Sequence, residues 1–193
     1  KIEPPRRDIT RTAPPLVDGF SAYFTHLNAG KLGLCVDLGD EDVAALIARL
    51  ADNADVVIES FRPGVVDRLG IGFDDVSTVN PGIVYCSTTG YGQTGPRSGW
   101  AGHDLNYLAV GGYLHCSGRA AGGGPALPGA TIADSAAGGL HAVAAICAAL
   151  VARATTGEGT YLDVSIADGV LSLMSLAVDE YLAEGTEPGP RHG

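Results

Sequence analysis

The order of strands and helices between Lys31 and Ser87 is the feature that most limits how this chain of 193 residues can fold. Residues 31–38 alternate apolar and polar side chains, and residues 55–59 and 83–87 are short, mostly apolar runs; each pattern favours a strand. The residues between these runs predict helices, because apolar side chains recur at helical spacing across residues 43–50. A strand–helix–strand–helix–strand order predicts an α/β fold with a parallel sheet and right-handed crossovers.

The second half of the sequence continues the same alternation. A Gly-, Ser- and Thr-rich segment, residues 88–102, follows the carboxyl end of a predicted strand, where open α/β sheets bind ligands. The elements predicted after it are a helix from His103 to about Tyr113, a loop over 117–130, an Ala-rich helix from Asp134 to about Arg153, a strand over 160–166, and a helix from about Ala167 to Glu184. The tail, residues 185–193, is polar and rich in Pro and Gly, which indicates an exit loop or linker.

The composition excludes several classes of function. A formal net charge of −10 argues against a broad nucleic-acid interface. The four cysteines form no CxxC pair, so neither a disulfide scaffold nor a metal site is expected. Cys35, Cys86 and Cys147 lie in apolar runs, which predicts that they are buried. The sequence contains no signal-peptide pattern and no apolar run that we judge long enough to span a bilayer, so we expect a cytoplasmic protein.

Two residues stand where catalysis is plausible. His103 lies at a loop-to-helix junction directly after the Gly-rich segment, and Asp134 interrupts an apolar run just before the pair Gly138-Gly139. A carboxylate at a helix start, beside glycines and free backbone N–H groups, could serve in acid–base or nucleophilic chemistry. Ordinary structural roles account for both residues equally well, since aspartate is a common helix N-cap and a lone histidine is usually structural.

Several separate motifs carry a resemblance to one family. Residues 55–64 (DVVIESFRPG), Leu69-Gly70 and residues 91–96 (YGQTGP) resemble the family III CoA transferases of the CaiB/BaiF type. Residues 102–109 (GHDLNYLA) are similar to the α-methylacyl-CoA racemase branch, and residues 132–134 with Gly138-Gly139 resemble the segment that bears the catalytic aspartate of both branches. The resemblance implies a Rossmann-like parallel sheet with flanking helices, namely a large domain that is incomplete at both ends. Residues 1–184 would belong to that domain, and 185–193 would lead to a missing smaller domain.

The resemblance implies an acyl-CoA enzyme of lipid metabolism, and the branch decides its reaction. In the racemase interpretation, which we favour on sequence, His103 and Asp134 form a two-base site that moves the α-proton of a 2-methylacyl-CoA thioester. In the alternative, a CoA transferase, Asp134 is a nucleophile that forms an acyl-aspartyl anhydride. Residues 135–137 (SAA) replace the aromatic residue and glycines usual in racemases, which keeps the transferase open. A third possibility is a non-catalytic module for acyl-CoA binding or dimerisation.

The same resemblance implies where CoA binds and which partners to expect. The matching residues are Val36, Asp37, Leu38, Gly39, Ser60, Phe61, Arg62 and Arg68, together with the turn formed by Gly102, His103, Asp104, Leu105, Asn106 and Tyr107. Guanidinium groups such as those of Arg62 and Arg68 suit the phosphates of CoA. We expect the CoA thioester to be a substrate, with no permanently bound cofactor and no metal. Complete members of the family form interlocked homodimers, so a dimer is expected as well.

Overall fold

The structure is a computed structural model that describes residues 1–190. The chain folds as two compact units, one formed by Lys1–Arg49 and the other beginning at Leu50. Residues 191–193, the end of the predicted exit segment, lie outside the described residues. The described part of that segment, residues 185–190, has no helix or strand.

The first unit contains two small sheets. Strand β1 (Ile2–Glu3) pairs in parallel with β4 (Leu34–Cys35), and β2 (Leu16–Val17) pairs with β3 (Phe20–Ser21) as an antiparallel hairpin. A 3₁₀ helix covers Ile9–Thr12, α1 covers Ala22–Leu27, and α2, Val43–Ala51, begins in this unit. Ser21 caps α1, because its hydroxyl accepts the Phe24 N–H at 3.1 Å.

A buried carboxylate joins β1 to the segment that follows it. Glu3 is 7% exposed and accepts two hydrogen bonds from the Arg11 guanidinium, at 2.9 Å from Nε and 2.6 Å from Nη2. It also accepts the Asp8 N–H at 3.1 Å. These bonds, chiefly those from Arg11, lower the pKa of Glu3 to about 2. A bidentate pair of this kind fixes both distance and orientation, so it holds the 3₁₀ helix against the strand.

The second unit is built on a three-stranded parallel sheet with the strand order β5 (Val56–Glu59), β6 (Val84–Thr89) and β7 (Thr160–Ser165). Its α-helices are α3 (Val65–Arg68), α4 (Phe73–Val79), α5 (Asp104–Val110), α6 (Tyr113–Cys116), α7 (His141–Thr156), α8 (Ile166–Leu173) and α9 (Ser175–Glu184). A π-helix, Ala133–Leu140, runs directly into α7. Parallel strands with flanking helices confirm the α/β fold predicted from the sequence.

The central strand β6 divides the apolar core into two layers. Val84 and Cys86 point to one face of the sheet and pack against Ile146 of α7, in a cluster with Ala142, Ala149 and Val164. Tyr85 points to the other face, where its ring meets Phe73 of α4, with ring centroids 6.2 Å apart. The two-residue repeat of a strand produces this alternation, which leaves β6 almost wholly buried. Because β5, β6 and β7 are parallel, their carboxyl ends share one edge of the sheet.

One predicted strand pairs differently from our expectation. The pattern in residues 31–38 predicts a strand in the same sheet as residues 55–59 and 83–87. The structure has only Leu34–Cys35 in strand conformation, and this strand pairs with β1 in a separate two-stranded sheet. That part of the prediction is wrong, because apolar alternation marks a strand without specifying its partner. The other two predicted strands are parallel neighbours, as expected.

Two predicted helices are interrupted. The helix expected from His103 to Tyr113 ends at Val110, because Gly111 follows and Gly112 adopts a φ of +84°; α6 begins after this break. The helix expected from Ala167 to Glu184 is two helices, α8 and α9, separated at Met174. Both boundaries depend on backbone turns within apolar sequence, where the helical pattern continues unbroken.

The Ala-rich helix is longer than the sequence predicts. The π-helix and α7 together cover Ala133–Thr156, 24 residues that include an 18-residue stretch with a mean hydropathy of 1.8, so by length and composition alone this helix could cross a membrane. The sequence predicted no such run, because the Ala-rich stretch from Ala142 to Ala152 is short and Arg153 follows it. One side of α7 packs on the sheet through Ile146, as the core helix of an α/β layer does.

The thiols also differ from expectation. Cys86 is buried, but Cys35 and Cys147 are exposed, so two of the three burial predictions are wrong. Cys147 directly follows the buried Ile146 in α7 but is exposed, which shows that an Ala-rich run does not reveal which side of its helix is buried. All four cysteines are free.

Candidate active site

The predicted residues His103 and Asp134 both lie at helix starts. His103 is the N-cap of α5, with extended backbone angles, and its N–H donates to Oδ1 of Asn106 at 3.0 Å. Asp134 is the second residue of the π-helix, where its carboxylate is exposed. The loop-to-helix junctions expected from the sequence are therefore present. Both residues belong to the second unit, and both are exposed to solvent.

Asp104 joins these two helix starts. Its Oδ1 accepts the backbone N–H of Asp134 at 3.0 Å, across 30 positions of sequence. The first turn of a helix has N–H groups without intrahelical partners, so a carboxylate there satisfies one of them. The sequence indicated Asp104 only as part of the CoA-binding turn. Its contact with Asp134 has no signal in the sequence, because spacing alone cannot show that the two helix starts meet.

The surroundings of Asp134 raise the pKa of its carboxyl above the ordinary value. Partial burial is the largest cause, and the negative charge of Asp104 is the second. The imidazole of His103 acts in the opposite direction and lowers this pKa. His103, Asp104 and Asp134 thus influence one another electrostatically, whereas the catalytic pairing of His103 with Asp134 stays a prediction. Shifts of this kind are typical of functional sites.

Tyr107 is a buried aromatic residue of α5 that the charge of Asp134 also influences. Its side chain is 6% exposed, and its ring meets that of Tyr91 edge to face, with centroids 5.2 Å apart. A Cβ built on Gly90 or on Gly102 would lie 2.6 Å from the Tyr107 ring, so only glycine fits at either position. Burial raises the pKa of the Tyr107 phenol, and the nearby charge of Asp134 raises it further. The loop from Gly90 to Gly102 therefore closes on a ring that lies next to Asp134.

The π-helix brings Asp134 close to α8 through small residues. A Cβ on Gly169 of α8 would lie 2.2 Å from the carbonyl oxygen of Ala137, and one on Gly138 would lie 3.0 Å from the Ile166 side chain. At the other end of the π-helix, Nδ1 of His141 lies 3.2 Å from the carbonyl oxygen of Ala136. The sequence predicts an α-helix here, and the wider turn is a finding of the structure. Single π-turns occur often at functional sites.

Both predicted CoA-binding arginines are available for a ligand. Arg62 and Arg68 are exposed, and within residues 1–190 neither guanidinium forms an ion pair. Arg62 follows the carboxyl end of β5. Nη1 of Arg68 would lie 3.3 Å from a Cβ on Gly64, so its guanidinium extends back over the start of α3. Both positions suit a phosphate ligand at the strand ends.

The remaining predicted CoA contacts are divided between the two units. Val36, Asp37, Leu38 and Gly39 follow β4 in the first unit, where Oδ1 of Asp37 accepts the Gly39 N–H at 3.0 Å. In the second unit Ser60 and Phe61 follow β5, and the Phe61 N–H donates to Oε2 of Glu59 at 2.7 Å. That these residues and the Gly102–Tyr107 turn bind CoA stays a prediction. In the described part of the chain, no three His, Cys, Asp or Glu side chains are grouped to hold a metal ion.

Comparison with known proteins establishes the family. The sequence profile of CoA-transferase family III matches residues 1–193. The chain belongs to CoA-transferase family III. It is 38% identical over 196 residues to the acetyl-CoA:oxalate CoA-transferase of Acetobacter aceti, an alignment that covers 100% of this chain and 50% of that enzyme. It is 37% identical over 198 residues to the human succinyl-CoA:glutarate CoA-transferase, with 100% and 45% covered.

A solved structure agrees with this assignment. The fold matches that of a CaiB/BaiF family protein from Brucella suis with a TM-score of 0.90 at 36% identity, over 98% of this chain and 51% of that one. This family III chain therefore spans about half the length of the relatives it matches. The family resemblance seen in the sequence is confirmed. The racemase branch is not confirmed, because both of these curated relatives are named as transferases.

Proposed function

We propose that the complete protein transfers coenzyme A between carboxylic acids, with Asp134 as the nucleophile. The observation that carries this proposal is the exposed carboxylate of Asp134 at a helix start, grouped with Asp104 and His103, in a chain of CoA-transferase family III. Membership of the family supports the reaction, and the position of Asp134 supports its role. The racemase interpretation that we favoured on sequence is therefore the second candidate.

The transfer needs one carboxylate and no proton. An Asp134 oxygen attacks the thioester carbonyl of the donor, the C–S bond breaks, and CoA leaves as the thiolate while an acyl-aspartyl anhydride forms. The thiolate then attacks the Asp134 carbonyl, releasing the donor acid as a carboxylate and leaving an aspartyl-CoA thioester. The acceptor carboxylate reverses these two steps. It displaces the thiolate to form a second anhydride, and the thiolate takes the new acyl group and frees Asp134.

The environment of Asp134 suits a nucleophile. Burial and the charge of Asp104 make its ionised form less stable than that of a carboxylate in water, which is what a raised pKa means. A less stabilised anion is more reactive towards a carbonyl carbon. The imidazole of His103 limits this effect, because it favours the ionised form. Asp104 also accepts the Asp134 N–H and so fixes the backbone from which the nucleophile extends.

The relatives suggest the class of acid that is exchanged. Their names pair a CoA thioester with a short dicarboxylic acid, oxalate in one case and glutarate in another. We therefore propose short dicarboxylic acids as substrates of the complete protein, and an interlocked homodimer as its working form. Measuring CoA transfer from succinyl-CoA or acetyl-CoA to a panel of mono- and dicarboxylic acids tests the first proposal. Light scattering of the full-length protein tests the second.

Trapping the aspartyl intermediate tests the reaction itself. The full-length protein is mixed with acyl-CoA and treated with hydroxylamine, which converts an aspartyl thioester to a hydroxamate that mass spectrometry locates. We expect the hydroxamate on Asp134 and no CoA transfer by Asp134→Asn. The matched control is Asp179→Asn, since Asp179 is exposed on α9 and makes no described contact. Normal transfer by Asp134→Asn would refute the proposal.

The electrostatic contact of His103 with Asp134 supports the racemase as second candidate. A two-base racemase would exchange the α-proton of an acyl-CoA with solvent, whereas a transferase needs no such exchange. Incubation in D₂O, followed by mass spectrometry of the recovered thioester, separates the two. If the protein is a racemase, His103→Ala lowers α-proton exchange by about 10²-fold or more. If it is a transferase, His103→Ala leaves most of the CoA transfer intact.

A further inference from the structure

The loop from Gly90 to Gly102, here called the active-site loop, links the end of β6 to His103. Its two end glycines enclose the Tyr107 ring, so the path of the loop determines where α5 begins. Because α5 supplies His103 and Asp104 to the group around Asp134, a displacement of the loop would displace both. The residues that hold this loop in place are therefore of interest for the proposed reaction.

One carboxylate holds the first part of the loop to the sheet. Both oxygens of Asp163 on β7 accept the backbone N–H of Gln93, at 3.2 Å for Oδ1 and 3.0 Å for Oδ2. The two residues are 70 positions apart. A backbone N–H bonded to an ionised carboxylate is a charge-assisted hydrogen bond, which is stronger than a bond between neutral groups. Asp163 is exposed and forms no ion pair within residues 1–190, so this contact is not explained by charge pairing with a neighbour.

The neighbouring contacts show that the loop is fitted closely to β7 and α8. Gly92 has a φ of +77°, and a Cβ on it would lie 3.4 Å from Cβ of Ser165. The Ala167 N–H donates to the carbonyl oxygen of Gly90 at 3.0 Å. The positive φ of Gly92 turns the chain so that the next N–H, that of Gln93, faces β7. Asp163 supplies the only side-chain acceptor that the described residues offer to this N–H.

We propose that Asp163 is a positioning residue for the transfer reaction: it holds the active-site loop at Gln93 and thereby sets the position of Asp104, which accepts the backbone N–H of the nucleophile Asp134. The proposal rests on the proposed function, because it assigns a role within that reaction. The hydrogen bonds that Asp163 accepts come from the backbone of the loop. Its carboxylate acts through the backbone of the loop, so its value lies in accepting a hydrogen bond and not in acid–base chemistry.

Three variants of the full-length protein test this role. Asp163→Ala removes the acceptor, Asp163→Asn keeps one acceptor oxygen but removes the charge, and Asp179→Ala removes an exposed carboxylate with no described contact. Asp163→Ala should lower kcat by between about tenfold and a hundredfold, the range expected when reacting groups are misplaced by up to an ångström. Asp163→Asn should recover most of that loss, and Asp179→Ala should behave as the wild type.

Hydrogen–deuterium exchange provides a readout that does not depend on the reaction. In Asp163→Ala the peptide that contains Gln93 should exchange about tenfold faster than in the wild type, while peptides from β5 and β6 keep their protection. Faster exchange with unchanged kcat would overturn the proposal, because the loop would then be held without consequence for the site. Equal loss of kcat in Asp163→Asn and Asp163→Ala would also overturn it. If Asp134→Asn keeps full transfer, the proposed function fails, whereas the exchange result still reports on the loop.

Discussion

The contact between Gly169 and Ala137 gives the sharpest test of how the site is built. A Cβ on Gly169 would lie 2.2 Å from the carbonyl oxygen of Ala137 and 2.8 Å from its carbonyl carbon, whereas real Cβ atoms essentially never come within 3.0 Å of a heavy atom from a residue distant in the chain. The obstructing atoms are backbone, so no side chain can rotate away. In Gly169→Ala, α8 and the π-helix must therefore separate by about 0.8 Å.

Two effects of opposite sign decide the stability of Gly169→Ala. Alanine in the interior of a helix is favoured over glycine by about 1 kcal/mol. Overpacking of a closely packed contact costs about 1–3 kcal/mol, and we place a backbone clash at the upper end of that range. We therefore expect a net loss of about 1–2 kcal/mol in the free energy of unfolding. The π-helix carries Asp134, so kcat for CoA transfer should also fall by about tenfold or more.

Urea denaturation and steady-state kinetics of the full-length protein measure both effects. The matched control is Gly124→Ala, because a Cβ on Gly124 meets no atom within 4 Å and its backbone needs no positive φ. The control should leave both stability and kcat near the wild-type values. If Gly169→Ala is more stable than the wild type, the gain in helix propensity exceeds the cost of steric overlap, and the close approach of α8 to the π-helix is not as described.

Three further outcomes are expected in the full-length protein. Asp104→Asn removes a charge that raises the pKa of Asp134 but keeps an acceptor oxygen for the Asp134 N–H. The pKa of Asp134 should therefore fall, and the acid limb of the kcat/KM profile should move to lower pH. An acid limb that does not move would contradict this electrostatic coupling. Arg62→Ala should raise KM for the acyl-CoA more than it lowers kcat, as expected for lost uniform binding, and an unchanged KM would make Arg62 structural. Asn80→Asp should lower the free energy of unfolding by about 1–3 kcal/mol, because it replaces the amide that donates to the carbonyl oxygens of Ala51 and Ala54; urea denaturation at neutral pH checks this.

Much of the fold could be predicted because its signals are local. The apolar runs at residues 55–59 and 83–87 correspond to β5 and β6, and the repeating apolar positions after Asp42 correspond to α2. Their strand–helix order also predicted parallel pairing, since the crossover rule depends only on sequence order. The prediction that residues 31–38 join the same sheet was wrong, because their partner, β1, is chosen by contacts across some 30 residues that no local pattern records.

The sequence by itself determined the family, the types of most elements, and the placement of His103 and Asp134 at helix starts, because short-range periodicity and contiguous motifs carry that information. Tertiary structure alone decided which groups meet. It joined Asp104 to the backbone of Asp134, Asp163 to that of Gln93, and Gly169 to that of Ala137. The physical reason is that hydrogen-bond partners and close backbone contacts between distant segments depend on how helices and loops pack on the sheet, and a linear pattern of residue types does not specify that packing.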